Sequence, residues 1–187
     1  MNLPNKLTIV RLIIIPFFLI LMVVPFDWGS VTFWGATIPV AELIAAILFI
    51  AATITDNLDG RIARRDHLVT NFGKFADPLA DKLLVMTAFI VPSWVTAIII
   101  WRELSVTGLR LLLVEQNGTV LAAKMPGKIK TTTQFIAIIF LLLHNVIFAI
   151  WNIPFGQIML YICLFFTVYS GIDYFVKGRG VFADGFK

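Results

Sequence analysis

Cysteine, histidine and charge are all scarce in this chain. Its 187 residues include one cysteine, Cys163, and two histidines, His67 and His144. One cysteine cannot build a disulfide framework, and Cys163 lies in an apolar run where it reads as a small packing residue. Charged residues make up 14% of the chain and hydrophobic ones 59%, whereas a soluble domain carries about 45–50% apolar residues. A soluble domain is therefore excluded, and the mean hydropathy of +0.93 describes a polytopic membrane protein. There is no internal repeat, low-complexity tract or linker, so the length fits one domain over residues 1–187. The net charge of +4 reads as loop topology with some attraction for anionic lipids or substrates. No nucleic-acid partner is expected.

A helix needs about 20 mostly apolar residues to cross a bilayer. Such runs occur at Leu7–Pro25, Val40–Asn57, Phe75–Val91, Ser93–Val114, Thr131–Ile150 and Phe155–Val176. The expected fold is all-α, with six transmembrane helices in a bundle. Proline, glycine and asparagine mark the breaks: Pro25 to Pro39, Pro92, Asn117 to Gly127, and Asn152 with Pro154. Lys6 and Arg11 sit at the N-terminus, and Lys177, Arg179 and Lys187 near the C-terminus. Arg61, Arg64, Arg65 and Lys74 lie between spans two and three, and Lys124, Lys128 and Lys130 between spans four and five. The other connections carry no Lys or Arg, so both termini and both basic loops are expected in the cytoplasm. Bulky Phe26 and Trp28 follow the first span where a cleavage site would need small residues, so that span is read as retained. Trp28, Trp34, Trp94 and Trp151 fall near the outer interface as an aromatic belt.

Against this apolar background, four carboxylates stand together. Asp56 and Asp59 are three apart at the end of span two, and Asp77 and Asp81 four apart at the start of span three. Each pair shares a helix face, and a short turn lets the two faces meet. Four such charges repel one another unless neutralised, and two divalent cations would balance them. An all-oxygen donor set suits Mg²⁺ or Mn²⁺ rather than zinc, and Mg²⁺ leaves positions open for phosphate oxygens. Gly60 and Gly73 remove side chains where a ligand would approach the backbone. Arg64 and Lys74 can meet phosphate oxygens. His67, between the two pairs, reads as a solvated loop residue. A carboxylate cluster could also serve a divalent-cation transporter, but the aspartates lie at one membrane edge and no polar path continues beyond them except at Glu42. That residue is expected to pair between helices or to face outward.

The stretch from Asp56 to Asp81 resembles the signature of the CDP-alcohol phosphotransferase family. The pattern D-x-x-D-G-x-x-A-R, eight residues, then G-x-x-x-D-x-x-x-D is filled at every defining position, including Ala63 and Arg64. Length and span count agree, so the resemblance covers nearly the whole chain. It implies transfer from a CDP-linked lipid or alcohol to a second alcohol with two divalent metals. Asp56, Asp59, Asp77 and Asp81 would be metal ligands, and Asp81 also the general base. Gly60, Gly73 and Arg64, with Asp56 and Asp59, would border the cytidine diphosphate. A homodimer in a bacterial-type cell membrane is implied, its polar cavity open to the cytoplasm. No Ser, Cys or His lies inside the motif as an alternative nucleophile, so direct in-line displacement fits.

The acceptor is read from span four and its neighbours. Glu103, Thr107 and Arg110 share one face, and charge within a span should line a cavity or pair internally. An Arg102–Glu103 or Arg110–Glu103 pair is one reading. The other is an anion pocket in which Arg110, Lys128 and Lys130 hold a phosphate, with Thr107 beside them. A phosphorylated alcohol is then favoured over serine. Pro4 to Arg11, Trp101 to Arg110, Gly127 to Thr131 and Ser170 to Tyr174 also resemble the branch of the family that joins CDP-diacylglycerol to sn-glycerol 3-phosphate. By that resemblance Thr8 and Arg11 would reach the cavity. Inositol phosphate and phosphatidylglycerol are the neighbouring acceptors. On this reading Asp81→Asn lowers CMP release by roughly 10²–10⁴-fold, measured on purified protein in detergent with metal present.

Overall fold

The computed structural model describes residues 3–65, 91–117 and 125–179. They are mostly helical. Helix α1 spans Leu3–Val23, α2 Val40–Arg65, α3 Ser93–Asn117, α4 Met125–Leu142 and α5 Phe155–Gly178, with a 3-10 turn at Ala149–Trp151. The expected span at Phe75–Val91 falls almost wholly outside the described residues. Among those described, α5 is the one helix long and apolar enough to cross a membrane, while Ile9–Val23 and Val40–Thr55 are shorter apolar segments.

The segment after α1 and both ends of α4 differ from the sequence expectation. The segment Phe26–Pro39, read as a loop, contains a hairpin of two four-residue strands, β1 Ser30–Phe33 and β2 Ala36–Pro39. They pair antiparallel from Ser30 opposite Pro39 to Phe33 opposite Ala36. Trp34 and Gly35 make the turn with φ of 46° and 80°, the left-handed pair that matches the twist of a two-residue hairpin. Helix α4 begins before Thr131 because Pro126 sits in its first turn, where a missing N–H costs nothing. It also ends at Leu142 rather than near Ile150, because His144, Asn145 and Ile147 all have positive φ.

The chain divides into two compact units: Met1–Ile90 with Ile138–Gly156, and Val91–Ala137 with Gln157–Lys187. In the first unit α1 packs on α2, with Phe18 and Phe49 fully buried and their ring centroids 6.1 Å apart. Ala45, Ala46 and Ala52 are buried along α2, and such small side chains let helices approach closely. Ala36 and Ile38 turn the inner face of β2 into the same core. Gly35 lies beside Ile150, so the hairpin turn is seated on the 3-10 segment. Phe140, Phe148 and Phe155 close the unit as an aromatic trio, with centroids 4.3–5.6 Å apart.

Two polar contacts hold the strained segment after α4. Glu42, in the first turn of α2, meets His144 Nε2 through Oε2 at 2.8 Å; interhelical pairing is expected of it, but its partner stands in the turn after α4 and not on a helix. Asn145 Oδ1 accepts the backbone N–H of Gly156 at 2.6 Å, capping the start of α5 from a distant loop. A side chain at Gly156 would press on Leu141 and on this same oxygen, at 3.0–3.1 Å.

In the second unit α3 packs against α5 around Val106, Leu109, Leu113 and Tyr174, with Phe175 at the margin. Gly178 permits the approach: a Cβ there would lie 2.8 Å from a Leu109 methyl. Asn145→Ala removes the cap from α5 and is expected to cost about 1 kcal/mol. A thermal unfolding midpoint a few degrees lower in detergent checks this, and an unchanged midpoint would remove the capping role.

Candidate active site

Asp56, Asp59, Gly60 and Arg64 all lie on α2, which continues unbroken to Arg65 through the glycine. Asp56 and Asp59 are one turn apart on it, as their spacing requires. Gly73, Lys74, Asp77 and Asp81 lie outside the described residues, as does His67. Among the described residues no three His, Cys, Asp or Glu side chains form a metal-binding group. The donor chemistry of the motif is carboxylate oxygen throughout, which fits a hard divalent cation.

The polar residues of α3 form a seam with α4 and α5 inside the second unit. Arg102 is buried, and its Nη1 donates to Glu103 Oε1 at 2.9 Å. The same carboxylate oxygen accepts Lys130 Nζ from α4, and Lys130 is buried too. Arg102 Nη2 donates to Ser170 Oγ on α5 at 2.8 Å. Gly171 makes room for the arginine, since a Cβ there would stand 3.2 Å from Arg102 Cγ. Ser170 in turn donates to the carbonyl of Thr167 at 3.3 Å. Glu103 thus ties α3 to α4, and Arg102 ties α3 to α5.

Tyr174 continues the seam. Its ring lies 5.8 Å from the Arg102 guanidinium carbon and 4.9 Å from that of Arg110, so the two cations flank one aromatic ring. Arg110 Nη2 also donates to the Tyr174 hydroxyl at 2.5 Å. The Nε atoms of Arg102 and Arg110 are buried with no hydrogen-bond partner among the described residues. Asp173, one residue before Tyr174, pairs with Lys177 a turn further along α5.

The structure therefore brings Arg110 and Lys130 into one unit but gives them different partners. Of the two internal pairings open in the sequence, the one present is Arg102–Glu103. Thr107 is exposed, and its hydroxyl turns back to the Glu103 carbonyl at 2.7 Å. Lys128 is exposed as well. Arg11 on α1, in the other unit, is 1% exposed, a costly position for a cation in an apolar helix. Thr8 lies three residues before it on the same helix. Sequence reasoning gave Ser170 and Tyr174 no role, although two polar side chains four apart in an apolar helix are a signal of a shared polar face.

Comparison with known proteins gives the family. The family model for CDP-alcohol phosphatidyltransferase matches residues 1–169. The chain belongs to the CDP-alcohol phosphatidyltransferase family. It is 53% identical over 183 residues to a protein of Bacillus subtilis (strain 168) named CDP-diacylglycerol–glycerol-3-phosphate 3-phosphatidyltransferase, covering 94% of each chain. A protein of the same name from Salmonella paratyphi A is 34% identical, with 98% of each chain covered. A probable phosphatidylglycerophosphate synthase of Mycobacterium tuberculosis is also 34% identical, over 94% of this chain and 81% of that one.

Within this family member Glu103 stands between two buried cations. Glu103→Ala is expected to destabilise the protein by about 3 kcal/mol, because Arg102 and Lys130 would lose their counter-charge. Adding Lys130→Met should recover part of that loss in a thermal melt. A single variant as stable as the parent would show that the seam does not hold the three helices.

Proposed function

We propose that the chain transfers the phosphatidyl group of CDP-diacylglycerol to sn-glycerol 3-phosphate, giving phosphatidylglycerol phosphate and CMP in phospholipid biosynthesis. The observation that carries this reading is the 53% identity, across 94% of both chains, to the Bacillus subtilis protein named for that transfer. Every defining position of the signature between Asp56 and Asp81 is also filled.

The residues divide the work. Asp56, Asp59, Asp77 and Asp81 would hold two divalent cations, Mg²⁺ or Mn²⁺. When bound, these supply Lewis-acid charge against the diphosphate and the leaving CMP. Gly60 and Gly73 leave the diphosphate room beside the backbone, and Arg64 and Lys74 meet its oxygens. Asp81 takes the proton from the acceptor hydroxyl. The freed oxygen then attacks the phosphorus bonded to diacylglycerol, and the bond from that phosphorus to CMP breaks in line. Arg110, Lys128, Lys130 and Thr107, with Arg11 and Thr8, hold the acceptor phosphate. A phosphate is held by charge-assisted hydrogen bonds, and Arg110, whose Nε has no acceptor among the described residues, supports the reading.

The setting is a membrane. Ile13 and Phe17 on α1, Trp101 and Leu111 on α3, and Phe165 and Ile172 on α5 are all exposed. Water would disfavour so many large apolar side chains, whereas acyl chains solvate them. Trp28, Trp34, Trp94 and Trp151 are exposed as well, which supports the aromatic belt. We read one catalytic domain of six spans, a homodimer in the cell membrane. Lys and Arg placement puts both termini and the active site on the cytoplasmic side, where a soluble phosphorylated acceptor is available.

Purified protein in detergent tests this. CDP-diacylglycerol is offered in turn with glycerol 3-phosphate, inositol phosphate, phosphatidylglycerol and serine. CMP release is expected with glycerol 3-phosphate, lost on chelation and restored by Mg²⁺ or Mn²⁺. Arg110→Ala should raise the KM for the acceptor by about 10–100-fold, the loss of one charge-assisted contact of about 1.5–3 kcal/mol. Release with a different acceptor alone would keep the chemistry and move the substrate. No release with any acceptor from folded, metal-loaded protein would remove the catalytic reading, and a cation flux assay would follow.

A further inference from the structure

The turns on the side away from the basic loops are almost free of charge. In the three stretches Leu12 to Thr55, Leu83 to Trp101 and Thr131 to Leu160, the ionisable side chains are Asp27, Glu42 and His144. Asp27 is exposed in the segment before β1. Glu42 and His144 meet at 2.8 Å, with 28% and 42% of their side chains exposed. Strands β1 and β2, the 3-10 turn Ala149–Trp151 and the first turn of α5 bring no titratable group to the pair. The contact also closes on strain. His144, Asn145 and Ile147 hold positive φ without being glycine, a backbone state that persists only where surrounding contacts over-determine it. A cleft of about 380 Å³ opens beside His144, lined by Thr37, Asn145, Asn152 and Pro154, so solution reaches the imidazole. Glu42 stands in the first turn of α2, which runs unbroken to Arg65. That helix carries Asp56 and Asp59, the first of them about 21 Å further along.

We propose that Glu42 and His144 form a proton-operated latch through which the solution on the outer side acts on α2. A histidine takes up its proton between about pH 8 and pH 5, a range in which a carboxylate stays ionised. The proton turns a hydrogen bond from a neutral ring into an ion pair. The latch therefore tightens as the outer pH falls and loosens as it rises. Tightened, it pins the first turn of α2 to the strained turn after α4, and a helix pinned at one end has less freedom at the other. The proton can shift this equilibrium by no more than it strengthens the pair, about two- to fivefold for a contact this exposed. The inference rests on the membrane orientation proposed above.

Two variants remove the ion pair with little change of shape. Glu42→Gln keeps a hydrogen-bonding side chain, and His144→Asn suits the left-handed backbone. On the full chain in detergent, amide hydrogen exchange at Asn145–Trp151 is followed from pH 8 to pH 5.5 and corrected for its intrinsic pH dependence. Protection is expected to rise about two- to fivefold in the parent and to stay level in both variants. A level parent, or an equal rise in the variants, overturns the proposal. If one variant does not fold, the other decides. Everted membrane vesicles then keep the active site in bulk solution at pH 8 while the lumen is set to pH 8 or pH 5.5. CMP release from CDP-diacylglycerol and glycerol 3-phosphate at limiting Mg²⁺ is expected to be higher with the acid lumen, by no more than the same factor, in the parent and not in the variants. Release indifferent to lumen pH overturns the action on α2. Absence of release at either lumen pH removes the functional reading, and the exchange measurement still decides the latch.

Discussion

The second unit depends on one carboxylate oxygen. Glu103 Oε1 accepts from Arg102 and from Lys130, and through them it joins α3 to α4 and to Ser170 on α5. Charges in an apolar setting are tolerated when paired and hydrogen-bonded and are expensive otherwise. The helices that carry these groups are therefore obliged to meet where the pairs form. Small residues sit where they must, with Gly171 under Arg102 and Gly178 under Leu109. Apolar packing between α3 and α5 then fills the space around Val106, Leu109 and Tyr174. Polar contacts specify which helix faces meet, and apolar contacts supply the area.

The same constraint bears on the proposed acceptor site. A seam that were fully neutral would be only structural, but this one ends in Arg110, whose described partner is an uncharged tyrosine. Its charge is kept in place by a ring and a hydroxyl rather than cancelled by a carboxylate. Such a cation suits the acceptor phosphate of the proposed function. The aspartates of the family signature are the complementary case in the proposed function, carboxylates whose donor chemistry suits divalent cations.

The first unit solves a different problem. Its helices meet through alanines and an aromatic pair, and its connecting segments carry the strain. Trp34, His144, Asn145, Ile147 and Asn152 all have positive φ without being glycine, which costs of order 1–3 kcal/mol at each position. The Glu42–His144 pair and the Asn145 cap on Gly156 offset part of that cost. They fix where α4 stops and α5 starts.

Much of this was legible in the sequence. Apolar run lengths located α1, α2, α3 and α5 to within a few residues at most ends, because burying or solvating a helix in lipid needs a set length of apolar surface. The aspartates, glycines and Arg64 were legible through their resemblance to a family signature, since that pattern is local and needs no knowledge of distant contacts. The hairpin at Ser30–Phe33 and Ala36–Pro39 was not legible, because its short strands carry little periodicity and a tryptophan occupies a left-handed turn position. Nor was the early end of α4, which depends on Asn145 finding Gly156 and His144 finding Glu42. The partners of the span-four charges were open for the same reason. The sequence placed Arg102, Glu103 and Arg110 on α3, but Lys130, Ser170 and Tyr174 reach them from 27 to 68 residues away. Composition by itself determined membrane character, and the reaction class followed from the resemblance of the Asp56–Asp81 signature to a known family, since both are read from local residue chemistry. Tertiary structure decided which cations are neutralised and which keep their charge, because pairing is a property of three-dimensional proximity between helices.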